Sequence, residues 1–207
     1  MPSLAHWNIP YAKARIALAL YAFKHPDAPW IAPDAARFLE AWLQPAHVGF
    51  EWGAGRSTTW FASRVARLTS IEHNQEWYER VHRNLLERSE STVILKCIAK
   101  DDREYVDTIL AEPDHTLDFV LVDGVSDQRD ACAWAALPKI AENGLLIVDD
   151  VHRYLPSASC APLALAVDAA PLTSLWGEVS LVLKGWKKHL FSSGVTDTAI
   201  WIRPATV

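Results

Sequence analysis

The 207-residue chain has few cysteines, no long apolar run and no excess of positive charge, and each absence excludes a class of protein. Its three cysteines, Cys97, Cys132 and Cys160, are far apart, which predicts free thiols in a reducing cytoplasm and excludes a thiolate metal site. A formal net charge of −5 argues against a dedicated nucleic-acid binder, which would usually carry a basic face. We therefore expect a cytoplasmic protein without a nucleic-acid partner.

The most apolar N-terminal segment, Ile16-Ala-Leu-Ala-Leu-Tyr-Ala-Phe23, is too short to span a bilayer. It follows Lys13 and Arg15, as a signal peptide would, but Lys24-His25-Pro26 comes next in place of a small-residue cleavage site. This segment predicts an amphipathic helix that packs on the sheet or over the cofactor, and we expect no membrane partner.

What the chain does have is Val48-Gly-Phe-Glu-Trp-Gly-Ala-Gly-Arg-Ser-Thr-Thr59, an apolar strand followed by an acid, two glycines and a helix start. Gly53 and Gly55 can adopt backbone angles that are closed to other residues, and they let the backbone approach a ligand. Ser57 or Thr58 is a candidate N-cap for the helix. A strand, a glycine turn and a helix in this order predict a nucleotide cradle.

Glu51 bears on which nucleotide binds there. It precedes the first glycine by two residues, where its carboxylate would repel the pyrophosphate of a dinucleotide and attract a ligand with a cationic amino-acid portion. Thr58 also stands where a dinucleotide fingerprint has its third glycine or alanine. Both features disfavour a dinucleotide ligand.

Acidic residues also end the next predicted strands. Glu72 lies roughly 20 residues beyond the glycine turn, the spacing at which a carboxylate accepts hydrogen bonds from ribose hydroxyls. The carboxyl edge of an open α/β sheet is where ligands bind. The four strands predicted after the glycine turn are Arg67–His73, Thr92–Ile98, Leu117–Val122 and Gly144–Val148.

On these residues the chain resembles the class I S-adenosylmethionine-dependent methyltransferases, and it is most similar to small bacterial members of O-methyltransferase character. The resemblance implies a Rossmann-like, doubly wound α/β fold with a mostly parallel seven-stranded sheet and an antiparallel last strand. The segments that carry it are Glu51–Thr58, Ser70–Tyr78, Asp101 or Asp102, Phe119–Gly124 and Gly144–Asp150.

The C-terminal quarter completes this sheet in the prediction. Ala161–Ala170 is rich in alanine and predicts a helix. Glu178–Leu183 and Thr198–Arg203 are β-rich and predict a terminal strand pair. A plain dinucleotide fold would more commonly continue with parallel strands.

The resemblance also implies roles for individual residues. The glycine pair would pass under the methionine portion of S-adenosylmethionine, with Glu51 near its ammonium group. Glu72 would hold the ribose hydroxyls, or it would serve only as a helix-start charge. Asp101 or Asp102 would lie by the adenine amino group, or both would be loop acids that cap the next helix. The implied cofactor residues are Glu51, Trp52, Gly53, Gly55, Ser57, Thr58, Glu72, His73, Asp101, Asp102 and Asp123.

Two mechanisms compete for the acceptor end of the site. In catechol O-methyltransferase and its relatives, an Asp after strand four and an Asp-Asn pair after strand five hold a divalent cation such as Mg²⁺, and Asp123, Asp149 and Asp150 stand at these positions. Here Asp150 replaces the expected Asn, and the lysine base of those relatives is missing. In a metal-free mechanism His152 is the general base, because imidazole titrates near neutral pH, with Asp123 as a second candidate.

We therefore predict one methyltransferase-like domain over residues 1–207, with a helical cap at 1–46 and a cofactor-binding core at 47–207. Within the cap, a second helix is predicted over Ala35–Leu43. The predicted reaction is O-methylation of a small-molecule acceptor, and we leave a homodimer open. The alternatives are an NAD(P)-dependent oxidoreductase and a non-catalytic module that binds S-adenosylmethionine.

Overall fold

The computed structural model describes residues 8–205, and its seven strands form one sheet. The strands are β1 Val48–Trp52, β2 Arg67–Glu72, β3 Val93–Cys97, β4 Leu117–Val122, β5 Ile140–Val148, β6 Lys187–Ser192 and β7 Asp197–Ile202. The helices are α1 Ile9–Lys24, α2 Pro33–Trp42, α3 Arg56–Ala62, α4 Gln75–Glu87, α5 Glu104–Asp107, α6 Arg129–Ala136 and α7 Ser174–Leu183. Short 3-10 turns cover Thr108–Ala111 and Val151–Arg153.

The strand order across the sheet is β3-β2-β1-β4-β5-β7-β6. Strands β1 to β5 pair in parallel, whereas β7 lies antiparallel between β5 and β6. The predicted fold, a doubly wound and mostly parallel seven-stranded sheet, is therefore confirmed. The chain leaves β1 toward β2 on one side and reaches β4 on the other, which opens a crevice at the carboxyl edge between β1 and β4.

The central strand β4 shows why this sheet forms. It is almost entirely apolar, which is typical of a parallel strand covered on both faces. Phe119 and Leu121 pack on one face under α2 and α3, while Val120 and Val122 pack on the other face under α6 and α7. All four side chains are fully buried. Alternation along the strand thus supplies two hydrophobic cores.

The C-terminal region differs from its prediction in two segments. The apolar run over 178–183 is not a strand but the second half of α7, because Trp176, Val179 and Leu183 fall on one buried helix face. Thr173 caps this helix by accepting the Trp176 N–H at 3.1 Å. The strand beside β7 is instead Lys187–Ser192, which lies in the connection between the two predicted strands.

The predicted alanine-rich helix over 161–170 is also wrong. This segment forms turns in which Ala164 and Ala169 donate to carbonyls three residues back. Leu163 adopts a left-handed backbone with φ +67°, and the Leu165 N–H bonds to the carbonyl of His152. These contacts break the repeat of four that an α-helix needs.

Both N-terminal helices form, but only one packs on the sheet. Helix α2 packs on one face of the sheet, where Ala35, Ala36 and Leu39 are buried in the same hydrophobic cluster as Ile200 of β7. All of α1 is described, and none of its residues is buried, so the structure does not support packing on the sheet, while a position over the cofactor stays a prediction. Within residues 8–205, no helix combines the length and apolar character needed to cross a membrane.

Candidate functional site

A cavity of about 590 Å³ opens at the carboxyl edge of the sheet, beside the crevice between β1 and β4. Ligands bind at this position in open α/β sheets. Of the eleven residues predicted to contact a cofactor, the structure brings six together on the cavity wall: Gly53, Gly55, Ser57, Glu72, His73 and Asp123.

The floor of the cavity is the turn after β1. Gly53 adopts φ +96°, and a Cβ atom there would lie 2.6 Å from the carbonyl oxygen of Asp123. Only glycine therefore fits, and the backbone stays open to a ligand above it. Gly55 has φ −179°, which any residue can adopt, so its predicted need for special angles is wrong. A Cβ atom on Gly55 would meet only the Trp77 indole at 3.6 Å.

Helix α3 begins at Arg56, directly after this turn, with Gly55 as its cap residue. Neither Ser57 nor Thr58 is the N-cap, contrary to the prediction, because both lie in the first helical turn. Thr58 bonds back instead, since its hydroxyl accepts the Gly55 N–H at 2.8 Å. This bond satisfies one of the free N–H groups at the helix start. Thr58 is buried and does not line the cavity.

Glu51 lies behind the wall of the cavity and is completely buried. Its Oε1 accepts hydrogen bonds from Thr58 and, at 2.7 Å, from Ser70. Its Oε2 is buried without a hydrogen-bond partner in the described part of the chain. Burial raises the pKa of this carboxyl to about 7. Glu51 thus supports the turn from below, and its contact with a ligand ammonium stays a prediction.

Glu72 ends β2 and is held rigidly on the cavity wall. Its Oε1 accepts the N–H groups of His73 at 2.9 Å and Asn74 at 2.8 Å, where α4 begins. His73 Nδ1 is 3.0 Å from the same oxygen. Within residues 8–205, the bonds found for this carboxylate all go to Oε1. Glu72 therefore takes the helix-start role while Oε2 stays available to a ligand, and the ribose contact stays a prediction.

Three other residues predicted to contact the cofactor do not reach the cavity. Trp52 is fully buried in the core, and its indole N–H donates to the carbonyl of Tyr105 at 2.7 Å. Asp101 and Asp102 are exposed. Asp102 accepts the Glu104 N–H at 2.9 Å, so it caps the start of α5, which was the alternative to an adenine contact.

Residues that the sequence patterns did not single out for the cofactor form one side of the cavity. Trp30 and Trp77 stack with ring centroids 6.0 Å apart. Arg56 lies over the Trp30 ring at 5.3 Å, and Arg80 lies over the Trp77 ring at 4.9 Å. The Trp77 indole N–H donates to the Ala54 carbonyl at 2.5 Å, which fixes the stack to the turn. The available signal was the N-cap at residue 74, which puts Trp77 in the first turn of α4.

Asp123, directly after β4, is a further acid that lines the cavity. Its Oδ1 is 2.9 Å from Nη2 of Arg129, a guanidinium group that is almost entirely buried. Burial raises the pKa of Asp123 to about 6, although the charge of Arg129 opposes the shift. The cavity therefore contains a carboxylate whose protonation changes close to neutral pH.

The predicted metal site at Asp123, Asp149 and Asp150 does not assemble. Asp149 accepts a hydrogen bond from Thr198, and Asp150 accepts one from Thr196 at 2.7 Å. Over residues 8–205 there is no group of three or more acidic, histidine or cysteine side chains arranged to hold a metal ion. The prediction is wrong because each carboxylate is turned to its own protein partner.

His152 is not placed to act as a base in the cavity. It is fully buried in the 3-10 turn after β5, outside the cavity wall. Its Nδ1 accepts the Asp197 N–H at 3.3 Å, so the ring faces β7. Burial lowers the pKa of the imidazole. The predicted role of His152 as general base is therefore wrong.

With this geometry in view, residues 50–151 match a protein-family model described as a methyltransferase domain. The match covers just under half of the chain and makes this segment similar to methyltransferase domains. No curated protein matches the chain.

The fold is shared with solved methyltransferases. An O-methyltransferase from Bacillus cereus, solved in complex with SAH, is 15% identical with a TM-score of 0.61, over 97% of this chain and 93% of that one. A methyltransferase from Geobacter sulfurreducens is 14% identical with a TM-score of 0.57, over 93% and 90%. An rRNA methylase from Streptococcus thermophilus is 10% identical with a TM-score of 0.57, over 82% and 93%.

At these identities the solved structures show the fold alone. The matched domain and the fold together support S-adenosylmethionine-dependent methylation, as the resemblance implied. The turn at Gly53 fits such a ligand, because it lines the cavity and the missing Cβ atom lets it lie directly against the backbone of Asp123 and Gly124.

Proposed function

We propose that the protein transfers a methyl group from S-adenosylmethionine to an oxygen atom of a small-molecule acceptor. One observation carries the proposal: the Cβ-free turn at Gly53 and the fixed carboxylate of Glu72 line the same cavity within the segment that is similar to methyltransferase domains. The choice of oxygen rests on the resemblance of the sequence motifs to small bacterial O-methyltransferases, and one solved structure of the same fold is an O-methyltransferase in complex with SAH.

Two parts of the chain would hold the cofactor. The backbone at Gly53 would lie under its methionine portion, because no side chain intervenes there. Glu72 would accept hydrogen bonds from the ribose hydroxyls, since its carboxylate is already oriented by two backbone N–H groups. When bound, S-adenosylmethionine supplies a methyl group on a positively charged sulfur, and that cofactor chemistry needs little help from the protein beyond alignment.

Asp123 is the group in this cavity that would accept the proton of the acceptor hydroxyl. With a pKa of about 6 it is mainly ionised at neutral pH, yet it is more basic than an ordinary aspartate. Arg129 holds the carboxylate in place from behind. The stacked pair Trp30 and Trp77 would shield the other side of the cavity from water.

Calorimetric titration with S-adenosylhomocysteine tests the cofactor assignment. Wild type is expected to bind it, and Glu72→Gln to bind about tenfold more weakly or worse, because the lost hydrogen bonds are to a charged group. Glu87→Gln is the matched control, since Glu87 is exposed at the end of α4 and lies outside the cavity. Absence of binding by wild type would overturn the proposal, and binding of NAD in its place would favour an oxidoreductase.

Turnover is tested with S-adenosylmethionine and a panel of hydroxylated small molecules, by detecting the methylated product. Asp123→Asn is expected to lose most of the activity while it still binds S-adenosylhomocysteine. Cofactor binding without methylation of any acceptor would contradict the proposed catalysis and favour a non-catalytic binding module.

A further inference from the structure

A second cavity, of about 270 Å³, adjoins the first one. Trp30 and Arg56 line both, so the two spaces meet at this pair. Helix α1 forms one wall of the second cavity and the segment 28–31 forms another. Thr196, in the turn between β6 and β7, also lines it.

The lining of the second cavity is apolar but carries basic groups. Leu18 and Ile31 contribute to its apolar surface, and Tyr21 stacks on His25 with ring centroids 4.5 Å apart. Its basic side chains are Arg15, His25 and Arg56, and no acidic residue is found among the described residues that line it. In a chain with a net charge of −5, such a concentration of basic groups favours an anionic ligand.

The first cavity has the opposite character at its end near the sheet. Glu72 and Asp123 line it there, and both belong to strand ends of the carboxyl edge. A cationic ligand portion is favoured beside these acids, whereas an anionic portion is favoured on the far side of Arg56. The two cavities therefore differ in the charge of their lining residues. This difference would direct the cofactor to one cavity and the acceptor to the other.

We infer that the second cavity binds the methyl acceptor, and that this acceptor has an apolar, ring-sized body bearing a carboxylate. The inference rests on the proposed methyl transfer. The planar guanidinium groups of Arg15 and Arg56 suit a carboxylate, because two parallel N–H donors match its two oxygens. Trp30 is exposed at the junction, where its indole would contact the body of the acceptor.

The position of the cavity fits this role. Thr196 in its lining donates to Asp150 at 2.7 Å, which ties the cavity to the loop after β5. The second cavity thus lies beside the carboxyl ends of the strands, where we expect the acceptor to bind. A molecule anchored by Arg15 would extend along the contact pair of Trp30 and Arg56, which lines both cavities, and present its hydroxyl group to the first cavity, whose wall includes Asp123.

The test compares carboxylates with their neutral amides, which have nearly the same shape. The probes are para-hydroxybenzoate, para-hydroxyphenylacetate and para-hydroxycinnamate, each with its primary amide, titrated into wild type that is saturated with S-adenosylhomocysteine. At least one carboxylate is expected to bind about tenfold more tightly than its amide. Arg15→Gln is expected to abolish this preference, because Arg15 lines only the second cavity.

Lys13→Gln is the matched control, since it removes one positive charge from the same helix outside the cavity, and it is expected to keep the preference. Arg15→Gln must also bind S-adenosylhomocysteine as wild type does. The inference is overturned if no carboxylate is preferred by wild type, or if Arg15→Gln retains the preference. Failure of the proposed function is separate, because it would appear as loss of S-adenosylhomocysteine binding by wild type before any probe is added.

Discussion

Arg129 and Asp123 form an ion pair of 2.9 Å in which the guanidinium group is buried and the carboxylate is partly exposed, and the same guanidinium group also donates to three backbone carbonyls. Those carbonyls belong to Gly124, Asp123 and Asp149, so they lie in the segments that follow β4 and β5. One buried cation thus holds together the two segments that follow β4 and β5, the first of which lines the cavity. The ion pair is therefore a structural support as well as the neighbour of a candidate catalytic carboxylate.

Replacing this cation by a neutral residue should be costly. Arg129→Gln is expected to lower the free energy of unfolding by about 3 kcal/mol, because it leaves a partly buried carboxylate and three backbone carbonyls without their donor. Chemical denaturation at pH 7.5 or so measures the change. The double variant Arg129→Gln with Asp123→Asn should recover part of the loss, since the unpaired charge is then removed. Equal stability of the single and double variants would contradict this account of the pair.

Glu51 predicts a dependence of stability on pH. Its folded pKa of about 7 lies above the ordinary value of 4.5, so the folded protein holds this proton more tightly than the unfolded chain does. The resulting stability is fully present below about pH 4.5 and is lost as the pH rises through about 7. Wild type should lose up to about 3 kcal/mol relative to Glu51→Gln between about pH 5 and pH 8.

Urea denaturation of both proteins at several pH values measures this difference. Glu87→Gln is the control, because Glu87 is exposed and its replacement should leave the pH dependence of stability unchanged. Parallel stability curves for wild type and Glu51→Gln would show that Glu51 is ionised at its ordinary pKa in the folded protein.

Gly53 should tolerate no side chain. Gly53→Ala is expected to destabilise the protein by roughly 1–3 kcal/mol and to weaken S-adenosylhomocysteine binding, because φ is +96° and the new Cβ would lie 2.6 Å from a carbonyl oxygen. Gly177→Ala in α7 is the control, since a Cβ there meets nothing within 4 Å. It should raise stability by about 0.5–1 kcal/mol through helix propensity. Thermal unfolding and calorimetry report both effects.

Asp123 predicts the pH dependence of methyl transfer. If its carboxylate accepts the acceptor proton, the rate of turnover should rise with pH, with a midpoint near 6, and then level off. Asp123→Asn should lose this rise of the rate with pH together with most of the activity. His152→Gln should keep the midpoint, because His152 is buried away from the cavity. A midpoint that moves in His152→Gln would restore the histidine as the base.

Much of the site could be predicted from the sequence because it depends on neighbours along the chain. The turn at Gly53 joins a strand to a helix within a few residues, so its backbone requirement is visible in the order of residue types. Glu72 is placed by the end of β2 and the start of α4 in the same way. The central strand β4 was equally clear, because a short apolar run between turns is typical of a strand buried on both faces.

Other features were decided only when distant segments met. Asp149 is a predicted metal ligand by its position after β5, yet its partner is Thr198, 49 residues further along the chain. The apolar residues of α7 have β-branched neighbours that suggest a strand, and packing against α6 selects the helix. The second cavity needs α1, the segment 28–31 and the β6–β7 turn together.

The sequence by itself determined the first five strands along the chain, the glycine turn and the acids at the carboxyl edge, since strand periodicity and turn chemistry are local properties of the chain. Only the tertiary structure decided which of those acids face the cavity and which are neutralised. That outcome depends on the partner that each buried carboxylate finds across the fold, because a buried charge is stable only beside a donor or a cation. Asp123 pairs with Arg129, and Glu51 accepts hydrogen bonds from Thr58 and Ser70. Glu72 accepts hydrogen bonds from the N–H groups of the two residues that precede α4.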